Sequence, residues 1–317
     1  MLELVGQTPM VRLRRLVAPE HAAVYVKCEY FNPLGSVKER IALAMIEAAE
    51  RAGEVDADCT VTESSSGNTA IALAFVCAVR GYRCQLVMPD NVGMERRRLL
   101  KHLGAELVLT PAEEGMNGAV AEAERLAGKT HRSFMPRQFS NPANPQIHRE
   151  TTAQEIWRDL EGHIDVFVAG VGTGGTLTGV ADFLKARNPA VRAIAVEPAE
   201  SPVIRQKRSG APIAPGKHKI QGIGAGFVPD NLNLNLVDEV IGVESNEAIE
   251  WSRRLSREEG ILAGISSGAN VCAAAAVAAR EEHAGKTIVT IACSFGERYL
   301  SSPLFENPLD LIDPPRR

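Results

Sequence analysis

The chain has 317 residues, 45% hydrophobic and 23% charged, with 27 Gly, 18 Pro and a formal net charge of −4. That length exceeds one small core and suits two α/β domains or one large one, and the charge leaves no footprint for a polyanion, so nucleic acid is not an expected partner. No stretch approaches the roughly 18 apolar residues of a membrane helix, and the opening MLELVGQTPMVRLRR does not read as a signal peptide.

Apolar runs alternate with helical patterns along the chain. Strands are expected at 22–28, 59–63, Arg83–Pro89 and 105–110, with helices at 37–51, Asn68–Arg80 and 94–103 between them. Gly53, Gly81 and Gly104 each follow a helix as its C-terminal stop. A second series has a helix at 145–160, a strand at 164–170, a helix at 176–187 and a strand at 191–197. After a polar, Pro/Gly-rich stretch at 210–219 come a strand at 237–243, helices at 246–259 and 268–281, and a strand at 286–293. Strand–helix repetition with apolar strands predicts an α/β fold: two doubly wound units with mainly parallel sheets, covered on both faces. Ligands in such sheets sit beyond the carboxyl ends of the strands. The six cysteines form no C-x-x-C pair and the seven histidines do not cluster, so no metal site is expected. Several cysteines lie in apolar runs and read as buried free thiols of a reducing cytosol.

Three strand-to-helix junctions carry candidate chemistry. Gly170, Gly172, Thr173, Gly174, Gly175 and Thr176 follow a strand and open a helix. Glycines let the backbone approach a ligand closely, and free N–H groups at a helix start hold an anion. Gly170, Gly172 and Gly175 also fit G-x-G-x-x-G, with Glu197 where a ribose-binding acid belongs. A dinucleotide, another phosphate ligand or an empty tight turn are all compatible with this loop alone. In the segment Asn32-Pro33-Leu34-Gly35-Ser36-Val37-Lys38-Glu39-Arg40, Ser36 and Glu39 form a capping box, which puts Lys38 in a helix's first turn. The helix dipole disfavours a cation there, and that field together with burial would lower the lysine pKa and fit it for Schiff-base or base chemistry. A solvated surface lysine is the plain alternative. Ser64, Ser65, Ser66, Gly67, Asn68 and Thr69 offer hydroxyls and amides for a carboxylate, or simply cap a helix. Gly264-Ile265-Ser266-Ser267-Gly268 and the run from Lys219 to Gly226 are weak signals when taken singly.

Together, N-P-x-G-S-V-K-x-R, S-G-N-T, G-T-G-G-T, K-I-Q-G-I-G-A-G-F, G-I-S-S-G and G-E-R-Y-L stand in the order found in cysteine synthases. The chain resembles these O-acetylserine sulfhydrylases, and more broadly the cystathionine β-synthase relatives of pyridoxal-phosphate (PLP) fold type II, from Gly6 to Leu300. The resemblance implies a tryptophan synthase β-like fold, with residues 1–34 and 144–317 as a large PLP-binding domain and 35–143 as a smaller mobile one. It implies that Lys38 carries the PLP Schiff base and moves the α-proton. Gly172, Thr173, Gly174, Gly175 and Thr176 then hold the phosphate rather than a pyrophosphate, Asn68 meets the ring hydroxyl, and Ser266 faces the pyridine nitrogen. Ser65, Ser66, Gly67, Asn68, Thr69 and Gln138 are implied around the substrate carboxylate, with Gly224 and Ala225 facing its amino group and the nucleophile.

The implied reaction converts O-acetyl-L-serine and sulfide to L-cysteine and acetate through an α-aminoacrylate. A cystathionine β-synthase-like enzyme, or one using another serine derivative or thiol, is the alternative. A cytoplasmic homodimer that takes the C-terminal tail of a serine acetyltransferase is implied as well. The chain departs from the pattern at Glu39, Ser64-Ser65, Ala70, Asn117 and Cys293-Ser294-Phe295. Phe295 is expected either to narrow the pocket or to pack in the core.

Overall fold

The computed structural model describes residues 1–306. Its chain order is β1 (Met10–Arg12), β2 (Ala23–Cys28), α1 (Lys38–Ala52), β3 (Thr60–Ser64), α2 (Asn68–Arg80), β4 (Arg83–Pro89), α3 (Met94–His102), β5 (Glu106–Thr110), α4 (Gly115–Lys129) and β6 (Ser133–Phe134). There follow α5 (Ala143–Ile147), a π-helical turn (His148–Thr152), α6 (Ala153–Asp159), β7 (Val166–Gly170), α7 (Gly175–Arg187), β8 (Arg192–Pro198), α8 (Val203–Ser209), β9 (Glu239–Val243), α9 (Ser245–Glu259), α10 (Ile265–Ala278) and β10 (Thr287–Ala292).

Two sheets result. The larger runs β1-β2-β10-β7-β8-β9, parallel except for the β1–β2 pair; the smaller runs β5-β4-β3-β6, all parallel. The α/β class with mainly parallel sheets is as the sequence predicts. Apolar strands bury both faces because successive side chains point to opposite sides. Val166 and Val168 of β7 join one core with β2 and α10, while Phe167 and Ala169 join the other with α7 and Val289 of β10. A third core lies on the small sheet, between α1, α2 and α3, and Leu2, Val5 and Leu34 pack against it.

The elements β1, β6, α4 and α8 are additional to those the sequence suggested. In α4 the glycines at 115 and 118 mask an otherwise Ala- and Glu-rich helix, and β1 and β6 are too short to show a period. The helix expected at 145–160 is continuous from Ala143 to Asp159 but is interrupted by the π turn. The 210–219 stretch is irregular, as its composition suggests. Among the described residues no helix is long and apolar enough to cross a membrane, and no cluster of His, Cys, Asp or Glu is placed to hold a metal ion.

Candidate active site

The ends of β3, β7 and β10 and the start of α1 converge on a cavity of about 320 Å³. Lys38, Ser65, Ser66, Gly67, Asn68, Thr69, Gln138, Gly172, Thr173, Gly174, Thr176, Ala225 and Ser266 all line it. Residues far apart in sequence are thus brought to one space. Gly175 and Gly224 stand behind its wall. Gly224 is pinned there, its amide donating to Val171 O (3.0 Å) and its carbonyl accepting from His218 Nε2 (2.9 Å).

The glycine loop is built by backbone alone. β7 ends at Gly170, and α7 begins five residues later with no side-chain cap. No protein acceptor engages the amides of residues 172–176 among the described residues. They stand at the positive end of α7, where an anion is favoured. Gly174 has φ +83°, and a side chain there would also press on Leu232. A methyl at Gly175 would overlap Asn144 Oδ1. Asn144 is buried, and its Nδ2 donates to Gln138 O (2.8 Å) and Thr173 Oγ1 (2.9 Å). His148, in the π turn, meets Thr176 Oγ1 through Nε2 (3.1 Å). Burial, reinforced by the Arg40 charge, pushes the pKa of His148 down to about 3, so the ring is neutral. Glu197, the candidate ribose acid, is spent elsewhere: it accepts from the amides of Ile204 (2.7 Å) and Arg205 (3.2 Å) at the start of α8.

Lys38 is held differently. Residues 35–37 pair with the chain after β10: Val37 N–H donates to Cys293 O (2.8 Å), Phe295 N–H to Gly35 O (2.9 Å), and Ser36 bridges Ser294. The capping box is half as expected. Glu39 accepts from the Ser36 amide (3.1 Å), but the Ser36 hydroxyl donates to Glu39 (2.6 Å) and accepts from the Lys38 amide (3.2 Å) instead of from that of residue 39. The helix opens at Lys38 itself. Packed on all sides except where it meets the cavity, the Lys38 ammonium is held below its ordinary pKa by desolvation; Cys293, Glu39 and Glu29 pull the other way.

Two residues on, Arg40 is the largest fully buried side chain. Its guanidinium grips Glu29 (2.7 and 2.9 Å) and Glu155 (2.8 and 2.8 Å), and Lys27 adds a second cation to Glu155 (2.9 Å). Burial works against the Glu155 charge, but Arg40 and Lys27 outweigh it and hold the carboxyl at about 2. This network bolts α1 to β2 and α6. Sequence reading kept Arg40 only as a letter of a motif.

The Ser64–Thr69 turn leaves the first amides of α2 without protein acceptors. Thr69 Oγ1 donates to Gln138 Oε1 (2.6 Å), which leaves the Gln138 amide hydrogens to the cavity side. Arg96 Nη1 holds Ser66 O (2.8 Å). Asn270, which was not singled out in the sequence, and Cys293, noted there as a departure from the family pattern, also line the cavity. Asn270 Oδ1 accepts from Gly170 N–H (2.7 Å), and its Nδ2 donates to Ile291 O (2.8 Å) and lies 3.5 Å from Cys293 Sγ. All six cysteines are free, five of them buried. Phe295 neither narrows this cavity nor joins a core cluster. It stacks at a tilt on Tyr30 (5.9 Å) on the wall of a wider outer cleft, which shares Ser66, Gly67, Gly222 and Ile223 with the inner space.

These features fit PLP: free amides and a helix start for a phosphate, an amine biased towards its neutral form, and a hydroxyl, not a carboxylate, at Ser266. Comparison with known proteins agrees. The family model for pyridoxal-phosphate dependent enzymes matches residues 1–294. Cysteine synthases of Staphylococcus aureus are 53% identical over 304 residues, 96% of each chain. The crystal structure of cysteine synthase from Entamoeba histolytica superposes with a TM-score of 0.92 at 41% identity, over 96% of this chain and 90% of that one. That of an O-ureido-L-serine synthase gives 0.90 at 45% identity, over 99% and 96%. The chain therefore belongs to the pyridoxal-phosphate-dependent enzymes, in the cysteine synthase family.

Proposed function

We propose that this enzyme replaces the β-substituent of O-acetyl-L-serine with sulfide, giving L-cysteine and acetate. The observation that carries this is Lys38: a lysine at a helix start, its ammonium destabilised by burial, opening into a cavity walled by the glycine loop and the Ser64–Thr69 turn. Bound there, PLP supplies the electron sink that lets an amino acid lose its α-proton and its β-substituent. Lys38 holds the cofactor covalently and carries the α-proton. The amides of Gly172, Thr173, Gly174, Gly175 and Thr176 hold the phosphate. Asn68 hydrogen-bonds the ring oxygen. Ser266 faces the ring nitrogen and, being neutral, leaves it unprotonated, which favours loss of the β-substituent over transamination. Ser65, Ser66, Gly67, Thr69 and Gln138 orient the substrate carboxylate. Ala225 faces the incoming nucleophile, with Gly224 bracing its loop.

Residues 35–143 form the smaller, mobile domain that closes on the carboxylate and excludes water, against a larger domain of 1–34 and 144–317. The protein works as a cytoplasmic homodimer; for the compartment, its five buried free thiols suit a reducing environment. The outer cleft, with Arg96, Arg298 and apolar Tyr30 and Leu34 on its walls, suits the carboxyl-terminal tail of a serine acetyltransferase. A second reading keeps the machinery and changes the nucleophile. It is favoured by the 45% identity to an O-ureido-L-serine synthase and by Ser64-Ser65 in the carboxylate turn.

The test is spectroscopic. The purified protein is expected to carry a visible cofactor band that O-acetyl-L-serine moves to longer wavelength and sulfide restores, with Lys38→Ala losing both responses. A response to L-serine or O-phospho-L-serine alone would overturn the choice of leaving group. Restoration by a thiol or hydroxyurea but not by sulfide would establish the second reading.

A further inference from the structure

Asn68 is gripped from outside the cavity by the turn that follows β10. Arg298 Nη1 donates to Asn68 Oδ1 (2.8 Å), and Asn68 Nδ2 donates to the Tyr299 hydroxyl (3.3 Å). That hydroxyl lies 2.7 Å from Ser294 Oγ. The four groups thus form one chain, with Arg298 donating to Asn68, Asn68 donating to Tyr299, and the Tyr299 and Ser294 hydroxyls sharing a hydrogen bond.

An asparagine amide can turn over and exchange its oxygen and nitrogen at little steric cost. Here it is not free to do so. A guanidinium has donors only, so a turned amide would set NH₂ against N–H. Arg298 is itself constrained. A methyl on Gly35 would come within 3.4 Å of its Nη2, and no carboxylate lies within ion-pair distance among the described residues. Burial lowers its pKa, and Glu39 is the acid whose field opposes that. Half-buried on the wall of the outer cleft, Arg298 commits one guanidinium hydrogen bond to the Asn68 amide oxygen. Tyr299 is buried, and a methyl on Gly264 would overlap its ring, so its hydroxyl is fixed as well.

We infer that Arg298 and Tyr299 are positioning residues for Asn68: they lock its amide so that an N–H, never the carbonyl oxygen, is offered to the cofactor's ring oxygen. This rests on the placement of Asn68 against the cofactor proposed above. It also gives the G-E-R-Y-L turn a purpose: it follows directly on residues 293–295, which staple the Lys38 turn, and orients Asn68 from outside the cavity.

The experiment measures cofactor affinity of the apo protein by dialysis and the position of the visible band, with apo-protein melting curves as the control for folding. Asn68→Ala and Arg298→Met are each expected to weaken cofactor retention about tenfold and to shift the band, as loss of one charge-assisted contact would. The double variant is expected to be no worse than Asn68→Ala, and Arg298→Lys to recover part of both signals. If Asn68→Ala changes retention and band while Arg298→Met changes neither, or if the two effects multiply, Arg298 does not act through Asn68 and the inference fails. If Asn68→Ala itself changes nothing, the placement of Asn68 at the cofactor fails first. Should Arg298→Met not fold, Tyr299→Phe decides: a band shift in the same direction upholds the inference, and an unmoved band overturns it.

Discussion

The glycine loop and the lysine segment are both strand-to-helix surroundings of one cofactor, yet they are built on opposite plans. The loop needs almost no side chains. Five consecutive residues, a left-handed glycine and a helix start produce the anion site wherever β7 and α7 are packed. The lysine segment is assembled at long range, from the pairing of residues 35–37 with 293–295 and from the Arg40 network that reaches Thr8, Glu29 and Glu155. Binding geometry is locally encoded, whereas placement of the reacting amine depends on the whole large sheet.

Two substitutions separate the two plans, and a third probes the carboxylate turn beside them. Arg40→Met leaves Glu29 a buried carboxylate without its cation and Glu155 with Lys27 alone, and is expected to cost about 3–5 kcal/mol of stability, read as a lower urea midpoint of the apo protein. Gly175→Ala forces Asn144 aside, with strain of about 1–3 kcal/mol. It is expected to weaken cofactor retention about 10- to 100-fold in dialysis, while the apo midpoint falls far less than for Arg40→Met. If Arg40→Met leaves the midpoint unchanged and loses only cofactor, the contrast between the two regions disappears. The smallest effect lies at Glu63, beneath the carboxylate turn. Burial lifts its pKa to about 7, and its Oε2 has no partner among the described residues. The folded chain then retains a proton that the unfolded chain releases near pH 4.5, so stability falls as pH rises between those values and is level above about 7. Glu63→Gln is expected to raise stability by about 1–2 kcal/mol at pH 8.5, with a much smaller gain at pH 5. An equal gain at both would refute the titration account.

That contrast also explains what could be read from the sequence. Strands 23–28, 83–89 and 166–170 announce themselves by apolar runs, and α2 and α7 by their flanking glycines, because those signals are local. The cavity-lining candidates from Lys38 to Ser266 were found as motifs. The partners of Arg40, the role of Asn144 beneath Gly175, and Asn270 between Gly170 and Ile291 depend on which strands lie side by side, and no local pattern encodes that. Gly224 shows the converse: its motif is clear, but its φ of +70° and its bond to His218 place it behind the wall.

The position of β10 sets an order of assembly. It is the last strand of the described chain but lies third in its sheet, with Ala23 paired to Thr287 and Val166 to Ile288. The four strands of the small sheet all fall between residues 60 and 134, so that sheet is complete before β10 leaves the ribosome. β2 and β7 must wait for it, and until it inserts, Val37 and Gly35 have no backbone to pair with. The pairing of residues 35–37 with 293–295 that positions Lys38 is therefore among the last contacts of the described chain to form.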